Sequence, residues 1–325
     1  MTPRSHKVSI VALSGLLVTA ALVCAACGGA GSSASGRSSG ASARGGASVT
    51  SSDGAPRRVR RPAPPAYPHV LAAAGGTQPT DFVPAVRWRG QTAVWVARRS
   101  GVALLSFNQR LVELRLHSGT VDAGASGWRY GPSIVGRERH RLVGVFNGGF
   151  KLDTGSGGFT LGGRTAVALT RGLGSIVTYS SGLTDVGAWQ EGVPASGQAV
   201  TSVRQNLDLL VSGGRPASNL ACVRCWGATL GGVAAPARSA LGVTRDGRLI
   251  WAGGENLTPA GLAAALVGAN VQRAVELDIN PEWVAAYLYG HHRELTPVPI
   301  VPGQPGVPGQ FLAPYSRDFF TVVAR

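Results

Sequence analysis

The sequence predicts an α+β fold: a single globular domain with a mixed β-sheet and few helices, preceded by a signal segment and a disordered linker. Three observations carry that expectation. Short apolar runs alternate with glycine turns from Val70 onward, one stretch alone has the cap and periodicity of a helix, and no break in composition divides 68–325. With 44% hydrophobic and only 14% charged residues among 325, the chain can bury a core and is too poor in charge for a coiled coil or helical bundle.

The charge that exists is lopsided. All but Lys7 and Lys151 of the 31 basic residues are arginine, and the formal net charge is +15. Residues 1–70 hold eight of them against Asp53 alone. No RNP motif, zinc finger or recognition helix accompanies this excess, so nucleic acid is not an expected partner. Anionic envelope polymers or lipid headgroups are the simpler ones.

Residues 1–27 read as an export signal. Arg4, His6 and Lys7 precede an apolar run from Val8 to Ala26 that ends at small residues, the order that the secretory machinery recognises. Cys24-Ala25-Ala26-Cys27-Gly28 resembles a bacterial lipobox with Cys27 as the lipid attachment site, although Cys24 stands where leucine is preferred. Ordinary cleavage and an uncleaved anchor are the alternatives. The expected location is the outer face of the cell membrane, lipid-anchored, or else secreted. Residues 28–67, rich in Gly, Ser, Ala and Arg and closing on Pro62-Ala63-Pro64-Pro65, lack the apolar content to fold and read as a tether.

From 68 to 325 the elements follow in order. Strand-like runs are Thr92–Ala97, Val102–Phe107, Leu111–Leu116, Leu142–Phe146, Ser175–Tyr179, Leu207–Val211 and Phe319–Val323. Alternation through Leu111–Leu116 leaves one face of that strand wet. Asp246-Gly247 between two apolar runs predicts a hairpin. Thr258 as cap, Pro259 at the first position and a stripe of Leu262, Ala265, Leu266 and Ala269 predict a helix, with strands at 248–252 and 273–278 on either side. The stretch Thr296–Pro314 reads as a proline-rich loop.

Most catalytic templates are absent. There is no complete dinucleotide fingerprint, P-loop or Gly-x-Ser-x-Gly. His291-His292 has no helical partner for zinc, and Asp278, Asn280 and Glu282 miss the glycine of a calcium loop. No cofactor and no metal is expected. Cys222 and Cys225 are expected to close a structural disulfide, away from any site, in preference to a redox motif.

Two segments carry chemistry. Phe146-Asn147-Gly148-Gly149-Phe150 ends an apolar strand with an amide and two glycines, suited either to a tight turn or to close approach of a ligand. In Glu276-Leu277-Asp278-Ile279-Asn280-Pro281-Glu282-Trp283, strand alternation puts Glu276 and Asp278 on one face, about 6.5–7 Å apart. Paired carboxylates serve glycoside cleavage as acid and as base or nucleophile; the alternative for Asp278 is to cap the Asn-Pro turn.

With Arg238-Ser239-Ala240-Leu241-Gly242 leading into the Asp246-Gly247 hairpin between them, these segments resemble the phosphodiester glycosidase family, which includes N-acetylglucosamine-1-phosphodiester α-N-acetylglucosaminidase. Arg204-Gln205-Asn206-Leu207 and Ser316-Arg317-Asp318-Phe319-Phe320 look like an actinobacterial branch of exported relatives. The resemblance implies an α+β domain that releases a sugar from a sugar 1-phosphodiester, on an envelope glycopolymer or a phosphate-linked sugar. Asn147, Arg238 and Asp278 carry over by position, while Glu276 follows from strand geometry. Asp278 and Glu276 are the expected catalytic pair; Asn147, Gly148, Gly149, Arg238, Arg204 and Asn280 are expected to bind substrate, the arginines as forks for phosphate oxygens. Better-known members follow the aspartate with glycines, so Ile279-Asn280 implies a narrower pocket. A non-catalytic sugar- or phosphate-binding lipoprotein, or an assembly lipoprotein without a small ligand, are the other function classes.

Overall fold

The structure is a computed structural model that describes residues 81–228, 232–291, 295–304 and 306–325. The expected signal segment with Cys27, the expected linker and the start of the expected domain lie outside the described residues. Strands β1 (Val83–Trp88), β2 (Gln91–Arg99) and β3 (Val102–Phe107) form a meander, followed by β4 (Val112–His117) and β5 (Leu142–Asn147). Five short strands come next: β6 (Phe159–Leu161), β7 (Arg164–Val167), β8 (Gly174–Tyr179), β9 (Thr184–Ala188) and β10 (Val200–Gln205). After β11 (Leu209–Ser212) and β12 (Arg215–Pro216), the hairpin β13 (Arg238–Thr244) and β14 (Leu249–Gly254) leads to helix α1 (Pro259–Gly268). Strands β15 (Val271–Glu276), β16 (Ala286–His291), β17 (Leu295–Pro299) and β18 (Phe319–Ala324) complete the chain.

These strands make three sheets, not one. The first has the order β1-β2-β3-β14-β13-β15-β11-β12, the second β17-β16-β5-β18-β4, and the third β7-β6-β10-β8-β9. The expected mixed sheet is corrected: among the described residues every ladder is antiparallel, and one isolated bridge, Trp189–Val193, is parallel. The reason lies in the crossover. Helix α1 does connect two strands running the same way, but β13 is inserted between β14 and β15 and pairs antiparallel with both.

The hairpin turn and the helix cap form where the sequence places them. Thr244 and Arg248 flank the Asp246-Gly247 turn, with Gly247 at φ +78, the region that glycine enters at no steric cost. The Thr258 hydroxyl accepts the Gly261 N–H at 3.0 Å, satisfying one of the orphan donors of the first turn. Leu262, Ala263, Leu266 and Ala269 of this segment bury against Ala240, Ile250, Ala252 and Ala274. The alternate residues of the same strands, Leu241, Trp251 and Val275, face a larger core with Phe107, Phe146, Phe159 and Phe320. Being covered on both faces explains why β13 and β14 read as continuous apolar runs. By contrast β4 keeps Glu113 and Arg115 half-buried between Val112, Leu114 and Leu116, as its alternation requires. The proline-rich loop is corrected at its start: Leu295–Pro299 is a strand. It sits at the edge of the second sheet, where proline removes no needed ladder bond.

Candidate functional site

Three strand ends meet where the first and second sheets approach. Asn147 closes β5, Arg238 opens β13 and Glu276 closes β15. Asn147 Nδ2 donates to Ser239 Oγ at 3.0 Å, and Ser239 N donates to the Asp278 carbonyl at 2.9 Å. Backbone and one serine thus bring Asn147, Arg238 and Asp278 into one neighbourhood. Their side chains do not form one cluster, because Arg238 and Ser239 alternate to opposite faces of β13.

On one face, Arg238 and Glu276 form a fully buried ion pair, Nη1 to Oε1 at 2.6 Å. Arg238 also donates to the carbonyls of Leu257 and Trp226, each at 2.8 Å. On the other, Asp278 gives Oδ1 to the backbone N–H groups of Ile279 at 2.7 Å and Asn280 at 2.9 Å. Its Oδ2 accepts from Arg317 Nη2 at 3.4 Å. Arg317 also donates to the Gly149 carbonyl at 2.7 Å, pairs with Asp122, and lies 5.0 Å over the Trp283 ring. Arg204 forks onto Asp318, Nε to Oδ2 at 2.7 Å and Nη2 to Oδ1 at 3.2 Å, and donates to the Phe150 carbonyl.

The glycines act through space. Neither Gly148 nor Gly149 has a positive φ; a Cβ on Gly148 would run into Asp318, and one on Gly149 into the Asn206 amide. Asn206 Oδ1 accepts the Phe150 N–H at 3.1 Å. Three buried donors around this wall, Asn206 Nδ2, Arg317 Nη1 and Trp283 Nε1, make no hydrogen bond among the described residues, and neither do Arg238 Nη2 and Glu276 Oε2.

Burial governs the two carboxyls. It pushes Glu276 up to about 8, against the pull of Arg238, with the nearby Asp278 charge adding to the rise. It pushes Asp278 up to about 6, against Arg317 and the N–H groups of Asn280 and Ile279. The two carboxyls do not share the one face that strand alternation gave them: Glu276 is committed to Arg238 on one side, and Asp278 to Arg317 and two backbone N–H groups on the other. Among the described residues no group of three or more His, Cys, Asp or Glu side chains is arranged to hold a metal ion.

Several expectations are redirected. Arg204 and Arg238 were to present forks to phosphate, but the structure directs them to Asp318, to Glu276 and to backbone carbonyls, with no solvent exposure. Asn280 turns its Oδ1 onto the Glu282 N–H at 2.9 Å, stabilising its own turn. Cys222 and Cys225 are disulfide-bonded, and their loop lies beside the site: the next residue, Trp226, supplies the carbonyl that holds Arg238, and Gly227 abuts Ile279 and Phe150. The expectation that the disulfide sits apart is corrected, since the chain after it must cross the end of β13. His292 lies outside the described residues. Ser239, Asn206, Arg317, Asp318, Trp283 and Asp122 were not among the expected site residues. Runs already singled out contain the first five, whereas nothing in the sequence around Asp122 marks it.

No protein-family model and no curated protein matches the chain. Among solved structures, the zebrafish N-acetylglucosamine-1-phosphodiester α-N-acetylglucosaminidase catalytic domain, auto-inhibited by its pro-peptide, is similar at 15% identity and a TM-score of 0.43, covering 80% of this chain and 86% of that one. A hypothetical protein from Synechocystis is similar at 14% identity and a TM-score of 0.39, covering 73% of this chain and 63% of that one. These are distant structural likenesses, and scores at this level carry no inference about activity.

Proposed function

We propose that the chain is an exported phosphodiester glycosidase that releases a sugar from a sugar 1-phosphodiester, in an envelope glycopolymer or a phosphate-linked sugar. The observation that carries this reading is Asp278, a buried carboxyl just past the end of β15 with the Arg317 guanidinium beside it. Asp278, ionised above about pH 6, is fit to attack the anomeric carbon or to take a proton from water. Glu276 is engaged by Arg238 and positions the strand end. Phosphate is already a good leaving group, so charge placement outweighs acid assistance. The uncommitted donors Arg317 Nη1, Asn206 Nδ2 and Trp283 Nε1 suit phosphodiester oxygens and sugar hydroxyls, which replaces the roles first expected of Arg204 and Arg238. The motif resemblance points the same way.

One observation favours a second reading. Asp278 is only 4% exposed and spends one oxygen on two backbone N–H groups, which suits a residue that holds a turn in a non-catalytic sugar- or phosphate-binding protein. The test is free-sugar release from a methyl glycosyl 1-phosphodiester by the purified chain, alongside binding of the same compound. The proposal expects release, lowered at least about 10²-fold in Asp278→Asn. Binding without release establishes the second reading, and neither binding nor release removes both.

A further inference from the structure

A second recess opens where the edge strand β4 of the second sheet meets β8 and β10 of the third. It encloses about 480 Å³, counting the part open to solvent, and shares no lining residue with the candidate site. Its polar wall is Glu113 and Arg115 on β4, Arg129 and Tyr130 from the following loop, and Ser180 and Ser202 across from them.

Three features of that wall are specific. The Tyr130 ring has the Arg115 guanidinium 5.3 Å and the Arg129 guanidinium 5.4 Å from its centre, and stacking of this kind orients the planar groups. Glu113 engages Arg115 at 2.7 Å, whereas Arg129 is exposed and has no carboxylate partner among the described residues. The recess therefore carries one positive charge in excess, on a side chain that its neighbours leave uncommitted. The hydroxyls are also divided. Thr201 gives its hydroxyl to the Thr178 carbonyl, and Thr178 shares its own with Thr184. Ser202 makes no side-chain hydrogen bond to a described residue, and its hydroxyl keeps access to solvent at the recess.

We propose that this recess is a second binding site, for an anionic, hydroxyl-rich unit: a sugar carrying a carboxylate or a phosphate. Arg129 takes the anionic group, and the Ser202 and Ser180 hydroxyls take ring hydroxyls. An uncharged sugar leaves Arg129 without its partner, and a hydrocarbon chain leaves the hydroxyls without theirs. The site stands on its own geometry and does not depend on turnover at Asp278.

The experiment titrates the purified chain with a hyaluronan tetrasaccharide, with glucose 6-phosphate and with uncharged cellotetraose, read by calorimetry and by amide shifts in NMR. The expected result is at least about tenfold tighter binding of a charged probe than of cellotetraose, with shifts at Arg115, Tyr130, Ser180 and Ser202. Which charged probe binds tighter distinguishes carboxylate from phosphate recognition. Arg129→Gln, at an exposed position where folding is not at stake, is expected to weaken that binding about tenfold, as is raising salt to about 0.5 M. Asp278→Asn is expected to leave it unchanged. Absence of binding up to about 10 mM, equal binding of cellotetraose, no effect of Arg129→Gln, or loss of binding in Asp278→Asn would each overturn the proposal.

Discussion

Asp278→Asn tests whether the carboxyl is held against its own ionisation, and it does so through stability, independently of any substrate. Burial raises Asp278 from the ordinary 3.8 to about 6. An acid whose pKa rises on folding binds its proton more tightly in the native state, so ionising it weakens the fold. Its contribution is fully present below about pH 3.8 and is lost as the pH climbs to about 6. At about 1.36 kcal/mol per unit, the gap between 3.8 and about 6 corresponds to a loss of about 3 kcal/mol. Asparagine keeps an oxygen for the Ile279 and Asn280 N–H groups and cannot ionise, so the variant lacks this loss. At low pH it exchanges a neutral carboxyl for an amide, an offset that does not change with pH, and the attraction of Arg317 for the ionised carboxylate is already contained in the value of about 6. Denaturant unfolding of both proteins from about pH 3.5 to about pH 7.5 should show wild type losing about 3 kcal/mol relative to the variant across that range. The raised carboxyls of Glu276 and Asp185 are present in both and largely cancel. A difference that is flat across the range, or that grows in favour of wild type as the pH rises, would refute the reasoning.

Sugar release should rise with pH near 6 as Asp278 ionises, and a rate that is flat from about pH 5 to about pH 7 would show that Asp278 does not act as a carboxylate; Glu276→Gln should lower the unfolding midpoint by removing the buried partner of Arg238. Arg317→Lys should lose both stability and activity, because an ammonium cannot serve Asp122, the Gly149 carbonyl and Asp278 from one plane; unfolding midpoints and rates equal to wild type would show that the fork is not needed. Cys27→Ala should move the protein out of the membrane fraction on cell fractionation, and unchanged retention would mean that lipid on Cys27 is not what holds it there.

What the sequence made legible was local. Asp246-Gly247, the Thr258-Pro259 cap and the alternation of Val112–Leu116 each act within a few residues, so their physics is written in one window. Strand β10 went unread because Val200–Gln205 ends in Arg and Gln, which look solvent-exposed until Asp318, 114 residues later, arrives to pair with Arg204. The insertion of β13 between β14 and β15 has the same character: strand–helix–strand spacing gives direction and says nothing about which strand fills the gap. At the site, Asn147, Glu276 and Asp278 stood out as polar residues at the ends of apolar runs. Arg317 and Asp122, 195 residues apart, did not, because neither breaks a pattern until the other is beside it.

The placement of the buried charges is an argument of its own. Arg204 with Asp318, Arg238 with Glu276, and Arg317 with Asp122 and Asp278 all lie at one end of β5, β10, β13, β15 and β18. Toward the other end of β15 there is one further buried pair, Arg273 with Asp185, while the far ends of β5 and β18, Leu142 and Ala324, are apolar and buried. A buried ion pair seldom repays the desolvation of its members, and apolar side chains of similar volume hold a fold as well or better. A core selected only for stability has no use for three such groups gathered at one end, least of all for a carboxyl whose ionisation costs about 3 kcal/mol at neutral pH. What the arrangement does supply is rigidity at a chosen place. Arg204, Arg238 and Arg317 pin the Phe150, Trp226 and Gly149 carbonyls respectively, so the segments that wall the carboxyls are fixed from three sides. Stability given up at the strand ends is then accounted for by position: Asp278 is held dry, its ionisation opposed by burial, as carboxyls at functional sites commonly are.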